Sequence, residues 1–315
     1  MAGITGMGNT FNLPNFVGEL FEITPTDTPF MSAIGGLSSG KETTSTEFQW
    51  QTYDLRDAGQ NTAVEGADAP DGSERVRSSV SNIVQIHQET IDVSYTKQAA
   101  TGNYSGLNIA GENPVKDELS FQTAIMLKQI ARDVEYSFIR GTYQKPSDNT
   151  KPRKTRGILE AITTNVITNA EAAPLTETMV LDLMQKVWDN GGIKESETAT
   201  LICNSGIKRA LSKIFITDRN YSEQTRSVGG VNLMTIETDF GTVNIMLNRH
   251  MPKDQLAVVS LEMCKPVFLN VPGKGHMFVE PLAKTGASDK YQIYGEVGLE
   301  YGNEMAHGKI TGLEA

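Results

Sequence analysis

VKDELSFQTAIMLKQIARDVEYSFIR, residues 115–140, is the longest segment of the chain whose pattern predicts a helix. Asn113 is suited to cap it, Pro114 fits the first helical position, and Gly141 is suited to end it in the left-handed conformation. At about 1.5 Å per residue this helix would be about 39 Å long, longer than most small domains need. Side chains at three- and four-residue spacings form one stripe that predicts packing against a core. They are Leu119, Thr123, Met126, Leu127, Ile130, Val134 and Phe138.

The region before this helix has the pattern of two long strands around a polar tip. Residues 46–55 and 81–96 both alternate between apolar and polar side chains, and the segment between them is rich in Gly, Ala and Asp. A connection this long is uncommon inside a compact domain, and an isolated two-stranded ribbon is only marginally stable in water. We therefore expect residues 43–97 to form a projecting hairpin that a neighbouring subunit stabilises.

The remaining regions differ in composition and periodicity. Residues 1–42 are rich in Gly, Thr, Pro and Asn, with apolar pieces too short for a core, and are expected to form an extended arm that lies on another surface. Residues 174–271 predict an αβ block with an amphipathic helix, a buried strand at 198–203 and a second helix capped by Asn204. Residues 272–315 alternate and predict further β structure.

The chain has 315 residues and is acidic overall, with a formal charge of −10. This charge argues against a protein that coats nucleic acid directly, because such proteins neutralise phosphates with clustered Lys and Arg. It is compatible with a protein that encloses nucleic acid behind an acidic wall. One basic cluster lies in the loop 142–157, where a solvated loop and a contact with a neighbour's acidic face both stay open. Its members are Lys151, Arg153, Lys154 and Arg156.

The cysteines and the hydropathy indicate neither an oxidising compartment nor a membrane. Cys203 and Cys264 both lie in apolar strand-like segments, so we expect buried reduced thiols. Residues 1–16 have no basic segment and no continuous apolar run, so no signal peptide is predicted. No apolar segment approaches the ~20 residues needed to span a bilayer.

A search for chemistry gives no constellation typical of an enzyme. Residues 35–41 (GGLSSGK) match the glycine and lysine spacing of a phosphate-binding loop, but Glu42 stands where the magnesium-binding Ser or Thr is needed. Glu304 and His307 are three residues apart in a strand-like segment, which favours a structural pair. No two histidines have the local spacing of a zinc-ligand pair, so no metal or cofactor is expected. The four are His87, His250, His276 and His307.

The order of an arm, a projecting hairpin, a long helix, an αβ block and a terminal β segment resembles the major capsid protein of tailed bacteriophages. Its α+β fold is called the Hong Kong 97-type, or Johnson, fold. The order covers nearly the whole chain, and short motifs are similar to one subfamily of these proteins. They are residues 24–30 (TPTDTPF), 65–66 (EG), 238–241 (TDFG), 248–252 (NRHMP), 296–300 (EVGLE) and 303–307 (NEMAH).

The resemblance implies a division of the chain into five parts. The hairpin would lie over an adjacent subunit, and the axial domain would meet its copies at five- and six-fold positions. The parts are an N-terminal arm (1–42), an extended β-hairpin loop (43–97), a peripheral domain (98–173) with the spine helix 115–140, an axial domain (174–271), and a β segment returning to the peripheral domain (272–315).

The resemblance also implies a function and partners. The chain would be a structural, non-enzymatic subunit that self-assembles into pentamers and hexamers of an icosahedral virion head, made in the host cytoplasm. The head would enclose double-stranded DNA without sequence-specific binding or a membrane, with a separate scaffolding protein, a portal and cement proteins as further partners. One alternative is an encapsulin-like nanocompartment shell. Another is a cytosolic hydrolase that uses the αβ block with Cys203 or His250.

Candidate inter-subunit contacts come from the aromatic side chains of the hairpin and from the basic residues of the hairpin and the loop. Each ion pair among them would be individually weak at a surface. The candidates are Trp50, Tyr53, Arg75, Arg77, Arg153, Lys154 and Arg156. On the long helix, Lys128, Arg132 and Glu135 lie away from the apolar stripe and are expected to face solvent or the next subunit.

Overall fold

The computed structural model of the chain describes residues 25–37, 39–69, 71–99, 117–193, 199–214 and 234–314. These residues form helices and strands in a mixed order, with short 3-10 turns at Leu261–Met263 and Glu304–Ala306. In chain order the elements are α1 (Pro29–Ala33), β1 (Lys41–Thr43), β2 (Glu47–Tyr53), β3 (Arg77–Ile83), β4 (Gln85–Ser94), α2 (Tyr95–Ala99), α3 (Glu118–Arg140), α4 (Ile158–Ala161), β5 (Val166–Ala173), α5 (Glu177–Asp189), β6 (Ala199–Cys203), α6 (Ser205–Ser212), β7 (Met234–Thr238), β8 (Gly241–Leu247), β9 (Gln255–Val259), β10 (Lys265–Leu269), β11 (Met277–Pro281), β12 (Ser288–Glu300) and β13 (Gly308–Leu313).

Helix α3 is the predicted long helix, and it begins three residues later than the sequence suggests, at Glu118. Its cap is Asp117, whose carboxylate accepts a hydrogen bond of 3.1 Å from the backbone N–H of Leu119. A carboxylate at this position satisfies a free N–H and is stabilised by the positive end of the helix dipole. The predicted cap Asn113 and Pro114 lie outside the described residues.

The end of α3 is set by close backbone packing, and the prediction of a left-handed Gly141 is wrong. Gly141 has a φ of −56°, which any residue can adopt. A Cβ there would lie 2.3 Å from the carbonyl oxygen of Ser137 and 2.6 Å from that of Thr155. The loop after the helix returns against this point, where the N–H of Gly157 donates to the carbonyl of Gly141 at 2.9 Å. Glycine is therefore required by space rather than by conformation.

Helix α3 packs on a five-stranded sheet in which β12 is the central strand. Strand β12 pairs with β10, β11 and β4, and β10 also pairs with β1. The predicted apolar stripe is confirmed, because Ile130, Val134 and Phe138 are buried in the same cluster as β4, β10 and β12 side chains. Leu119, Met126 and Leu127 extend the stripe as partly buried residues.

A six-stranded sheet, in the order β5–β13–β9–β6–β8–β7, forms the second body of β structure. Strand β6 is buried along its whole length because both of its faces are covered. Leu201 packs with α5 and α6 side chains, whereas Ile202 belongs to the cluster that contains the α3 stripe. The predicted helices are confirmed as α5, capped by Thr176, and α6, capped by Asn204.

The sheets do not follow the boundaries that the sequence suggested. Strand β13 was expected to return to the long helix with the rest of residues 272–315, but it joins the six-stranded sheet between β5 and β9. Strand β5, which precedes the predicted αβ block, lies at the edge of that sheet, and β10 of the block joins the five-stranded sheet. The chain thus crosses between the two sheets several times. Strands that pair across long sequence separations have no local sequence pattern that predicts their partner.

The predicted hairpin is present, but its second strand lies earlier in the sequence than predicted. Strand β2 pairs antiparallel with β3, from Glu47 opposite Ile83 to Tyr53 opposite Arg77, so most of β3 lies in the segment predicted to be the tip. Most of the predicted second strand is β4, which pairs with β12. Alternate β4 side chains, among them Ile91 and Val93, are buried against the core. This burial explains why β4 continues into the five-stranded sheet.

The cysteines and the glycine-rich segment have structural roles in the fold. Cys203 and Cys264 are buried free thiols, as predicted. The glycine-rich segment leads into β1, where Lys41 pairs with Glu300 at 2.7 Å, and this is not the strand–loop–helix arrangement of a phosphate site. Within the described ranges, no cluster of His, Cys, Asp and Glu could hold a metal ion, and no helix combines the length and hydropathy of a membrane span.

Candidate assembly surfaces

A buried asparagine fixes the root of the hairpin, defined here as residues 47–50 and 80–83. Asn82 is fully buried, and its Nδ2 donates to the carbonyl oxygens of Leu299 at 2.7 Å and Arg156 at 3.1 Å. Its Oδ1 accepts from the N–H groups of Arg156 and Ile83, both at 2.9 Å. One side chain thus joins the hairpin, the loop after α3 and strand β12 through four hydrogen bonds.

Aromatic packing holds the other strand of the root. The Nε1 of Trp50 donates to the carbonyl of Gly302 at 2.7 Å, and its ring meets Tyr301 edge-on at 4.9 Å. Phe48 lies against the backbone of Gly298, where a Cβ would come within 2.6 Å of the Phe48 ring. The root is therefore part of the subunit's own core.

The hairpin tip, residues 54–76, has a different environment. Its described residues are all exposed, and their hydrogen bonds join only near neighbours in sequence, such as the N–H of Ala67 to the carbonyl of Val64. Three large apolar side chains of the tip are largely in solvent: Leu55 at 71 %, Val64 at 80 % and Val76 at 83 % exposure. These side chains bury no surface within the subunit, so the tip is available to another molecule.

The basic loop after α3 is anchored at two of its four cations. Arg153 forms an ion pair with the buried carboxylate of Glu296 at 2.9 Å. Arg156 donates to the hydroxyl of Tyr301 at 3.1 Å and stacks over the ring of Tyr143, with its guanidinium carbon 4.4 Å from the ring centre. Lys154 keeps its side chain exposed.

The predicted inter-subunit residues thus fall into two groups. Trp50, Arg153 and Arg156 are engaged within their own chain by the contacts just described. Four others are exposed, although the Arg77 guanidinium also donates to the Gln51 side chain at 3.0 Å. The exposed group consists of Tyr53, Arg75, Arg77 and Lys154. Their contact with a neighbouring subunit stays a prediction.

Glu135 has a role that the sequence did not reveal. It was expected to face solvent or another subunit, but it is fully buried, and its carboxylate accepts from the N–H groups of Phe30 at 2.9 Å and Met31 at 2.7 Å. The Asn248 side chain donates to the same carboxylate. Burial raises the pKa of Glu135, while these donors act in the opposite direction. The only sequence signal was its position next to Val134 at the edge of the apolar stripe.

The residues considered for hydrolytic chemistry do not make a nucleophile site. Cys203 is inaccessible to solvent, and burial raises the pKa of its thiol to about 12, which disfavours the reactive thiolate. His250 is half-buried beside Tyr136, with ring centres 6.1 Å apart. His307 is buried and satisfied, since its Nε2 lies 2.8 Å from the carbonyl of Tyr301 and its Nδ1 accepts from the N–H of Ser260.

A projecting hairpin, a long helix packed on one sheet and a second sheet flanked by helices make up the Hong Kong 97-type fold of phage capsid proteins. Solved structures agree with this class. A chain of the cyanophage A-1(L) capsid aligns with a TM-score of 0.66 at 10 % identity, covering 96 % of this chain and 97 % of that one. The SrpI encapsulin of Synechococcus elongatus PCC 7942 aligns with a TM-score of 0.62 at 14 % identity, covering 96 % and 92 %. At these identities the likeness shows the fold alone.

Sequence comparison identifies the family of the chain within this class of capsid proteins. The family model described as the SU10 major capsid protein matches residues 3–314, so the chain belongs to that family. The major capsid protein of Escherichia phage Phieco32 is 26 % identical over 345 aligned positions, covering 94 % of this chain and 93 % of that protein. The role of the chain is therefore that of a structural capsid subunit of a virion, which assembles with copies of itself.

Proposed function

We propose that the chain forms the pentamers and hexamers of an icosahedral phage head that encloses double-stranded DNA. The observation that carries this proposal is the contrast within the hairpin. Its root is bonded into the subunit core through Asn82 and Trp50, whereas its tip exposes apolar side chains that no described part of the chain covers. A subunit that depends on its neighbours in this way is suited to a closed shell.

The proposed function is mechanical and non-enzymatic. Closed symmetry allows contacts between different surfaces of identical chains to repeat without leaving an open edge. The net charge of −10 is consistent with enclosing DNA rather than coating it, because an acidic wall does not bind phosphates tightly. No catalytic residue and no cofactor form part of the proposal.

The proposal keeps the five-part division of the chain, with the two domains defined by the two sheets. Helix α3 and the five-stranded sheet would be the peripheral domain, and the six-stranded sheet with α5 and α6 would be the axial domain at the five- and six-fold positions. The arm would include α1, which Glu135 holds against the subunit, while residues 1–24 lie outside the described residues. A separate scaffolding protein, a portal and cement proteins complete the proposed assembly, which begins in the host cytoplasm.

An encapsulin-like shell is the alternative that the fold likeness supports, since the SrpI encapsulin aligns over nearly the whole chain. Family membership favours the phage head. Particles purified from infected cells would separate the two: nuclease-protected double-stranded DNA supports the head, and a protein cargo without DNA supports the nanocompartment.

Electron microscopy of the purified protein tests the proposal directly. We expect closed shells from the wild-type chain, and a compact monomer or small oligomer would contradict the proposal. Replacing residues 54–76 by Asn-Gly would join β2 to β3 through a two-residue turn that suits a hairpin. We expect this variant to fold but to form no shells. A control in which a neutral Gly/Ser sequence of the same length replaces the tip separates loop length from tip chemistry.

A further inference from the structure

The described part of the N-terminal arm lies across the junction between the two sheets. Residues 25–37 and 39–43 are called the strap below. At one end of the strap, α1 contacts α3 and β8, and Asp27 pairs with Arg249 of the loop after β8 at 2.8 Å. At the other end, β1 pairs in parallel with β10. The strap is therefore attached to the six-stranded sheet at one end and to the five-stranded sheet at the other.

The apolar side chains of α1 are buried in a core that both sheets share. Phe30 is 0 % exposed and Met31 is 3 % exposed. Both belong to the cluster that contains the α3 stripe. The same cluster contains Phe268 from β10 and Met246 from β8, which are strands of different sheets. Detaching α1 would therefore open a core on which the contact between the sheets depends.

One buried carboxylate receives hydrogen bonds from both sides of this junction. Glu135 accepts from the N–H groups of Phe30 at 2.9 Å and Met31 at 2.7 Å. It also accepts from the side chain of Asn248, which is 1 % exposed and directly follows β8. The backbone N–H of Asn248 donates to the carbonyl of Cys203, at the end of β6, at 2.9 Å. Glu135 thus joins the strap, α3 and the six-stranded sheet.

Helix α1 lacks a side-chain cap of its own. Thr28 stands at the N-cap position, but its side chain makes no capping hydrogen bond. The N–H groups of a first helical turn have no partner within the helix, and burying them without one is costly. Glu135 supplies the missing acceptor from a position 105 residues away from Phe30 along the chain. The stability of α1 therefore depends on its contact with α3.

The β1 end of the strap is held by close backbone packing and by ion pairs at the surface. A Cβ at Gly40 would lie 2.4 Å from a carbonyl oxygen of β10. Lys41 pairs with Glu300 of β12 at 2.7 Å, and the Nε2 of His276 lies 2.8 Å from Glu42. Surface ion pairs contribute little, whereas buried hydrogen bonds to a carboxylate contribute more. The α1 end is therefore the stronger attachment.

We propose that Glu135 and Asn248 form a latch that closes the strap over the junction and fixes the position of one sheet relative to the other. When the latch opens, α1 leaves α3 with Phe30 and Met31, and the junction between the sheets loosens. This inference goes beyond the proposed function and is independent of it, because the latch acts within one subunit whether or not shells form.

Chymotrypsin cleavage after Phe30 measures the release of the strap, because Phe30 is fully buried while the strap is closed. Glu135→Met keeps the approximate size of the side chain and removes both acceptor oxygens. We expect the Phe30–Met31 bond of unassembled subunits to be cleaved at least about tenfold faster in this variant than in the wild type, since cleavage follows the population of the open form. Mass spectrometry of the products identifies the bond. Cleavage at the wild-type rate would overturn the inference.

A milder variant and a control test whether the latch is the pair Glu135 and Asn248. Asn248→Ala removes one of the three donors, so it should accelerate the same cleavage less than Glu135→Met, and it replaces that variant if Glu135→Met does not fold. The control Asp27→Ala removes the exposed ion pair with Arg249 on the same strap. Because such pairs are weak, its cleavage rate should stay within about twofold of the wild type. Equal acceleration by Asn248→Ala and Asp27→Ala would overturn the assignment.

The two native thiols test whether the closed strap holds the sheets together. Cys264 lies in the shared core, next to the β10 residue that is paired with Glu300. Cys203 lies in the cluster that packs α5 and α6 on the six-stranded sheet. In Glu135→Met, a maleimide should label Cys264 at least about fivefold faster than in the wild type, because local opening exposes only the groups near it. Labelling of Cys203 should keep the wild-type rate.

The other outcomes of the labelling experiment would contradict the inference. Unaltered labelling of Cys264 together with faster cleavage after Phe30 would show that α1 detaches without loosening the junction. Equal acceleration at Cys264 and Cys203 would show that the whole subunit unfolds. Either result would overturn the latch as a device that fixes the two sheets.

Discussion

The two ends of the hairpin formed by β2 and β3 differ in what holds them. At the root, Asn82 makes four hydrogen bonds: two to the loop after α3, one to β12 and one to its neighbour Ile83. Trp50 packs on Tyr301. At the tip, the described side chains lie in solvent and hydrogen bonds stay local. The hairpin is thus fixed at one end by its own subunit, and the other end is available to a neighbour.

One element can therefore serve folding and assembly separately. A substitution at the root removes contacts within the subunit and should change the free energy of unfolding. A substitution at the tip removes nothing from the isolated subunit and should change only the association between subunits. The predictions below test this separation, in order of the expected change in stability.

The largest effect is expected at Asn82. Asn82→Ala removes four hydrogen bonds to buried or partly buried backbone groups of Arg156, Leu299 and Ile83, so we expect a loss of about 3 kcal/mol in the free energy of unfolding. Urea unfolding of unassembled subunits measures it. Asn82→Asp buries a carboxylate whose oxygen faces the two carbonyl oxygens of Leu299 and Arg156, so it is expected to be at least as destabilising. A loss below about 0.5 kcal/mol for Asn82→Ala would show that the root is not anchored as described.

A smaller loss is expected where the hairpin packs on β12. Gly298→Ala would place a Cβ 2.6 Å from the ring of Phe48 and 2.9 Å from the carbonyl of Ile83, and such overpacking costs about 1–3 kcal/mol. The matched control is Gly286→Ala, where no atom lies within 4 Å of the added Cβ. Equal unfolding midpoints for the two variants would contradict the close contact between Phe48 and β12.

A pH dependence is expected from the buried carboxylate that holds α1. Burial raises the pKa of Glu135 in the folded state, so the folded chain binds this proton more tightly than the unfolded chain. Its contribution to stability is therefore greatest below the unfolded pKa and is lost as the pH rises through the folded pKa. Glu135→Gln should remove this slope from the variant's own pH profile, so the difference in unfolding free energy between wild type and variant should change from acidic to neutral pH. A constant difference over that range would contradict the prediction.

The smallest change in stability is expected at the tip. Leu55→Ser/Val64→Ser replaces two exposed side chains, so the free energy of unfolding should stay within about 0.5 kcal/mol of the wild type. Shell formation should fall, because these side chains would be covered only in the assembly. Unfolding of unassembled subunits and particle counts in electron micrographs give the two readouts. A large loss of stability with normal shells would reverse the roles assigned to root and tip.

Much of the local structure could be predicted because its signals lie within a few residues. The stripe with Ile130, Val134 and Phe138 predicted α3, and Asn204 predicted the start of α6. Gly141 shows the limit of such signals. A glycine after a helix commonly adopts the left-handed conformation, but here it is needed because the returning loop passes too close for a Cβ.

Residue type alone could not show which of the candidate contact residues are engaged within the chain and which are exposed. Arg153 and Lys154 are neighbours in sequence, yet one pairs with Glu296 inside the chain and the other is exposed. Glu135 has the same charge as a solvent-facing residue of the helix but is buried with three donors. Which atoms surround a charge is decided by elements far away in sequence.

Local sequence patterns predicted the three longer helices α3, α5 and α6, most strands, the existence of a hairpin with a polar tip, and the resemblance to a phage capsid protein. These follow from periodicity, capping residues and motif order, which are local properties of the chain. Three features became visible only in the folded chain: β4 pairs with β12 instead of the hairpin, β13 joins the six-stranded sheet, and Asn82 and Trp50 hold the root. The reason is that strand partners and buried hydrogen bonds are chosen by the total burial of distant segments, which no local pattern encodes.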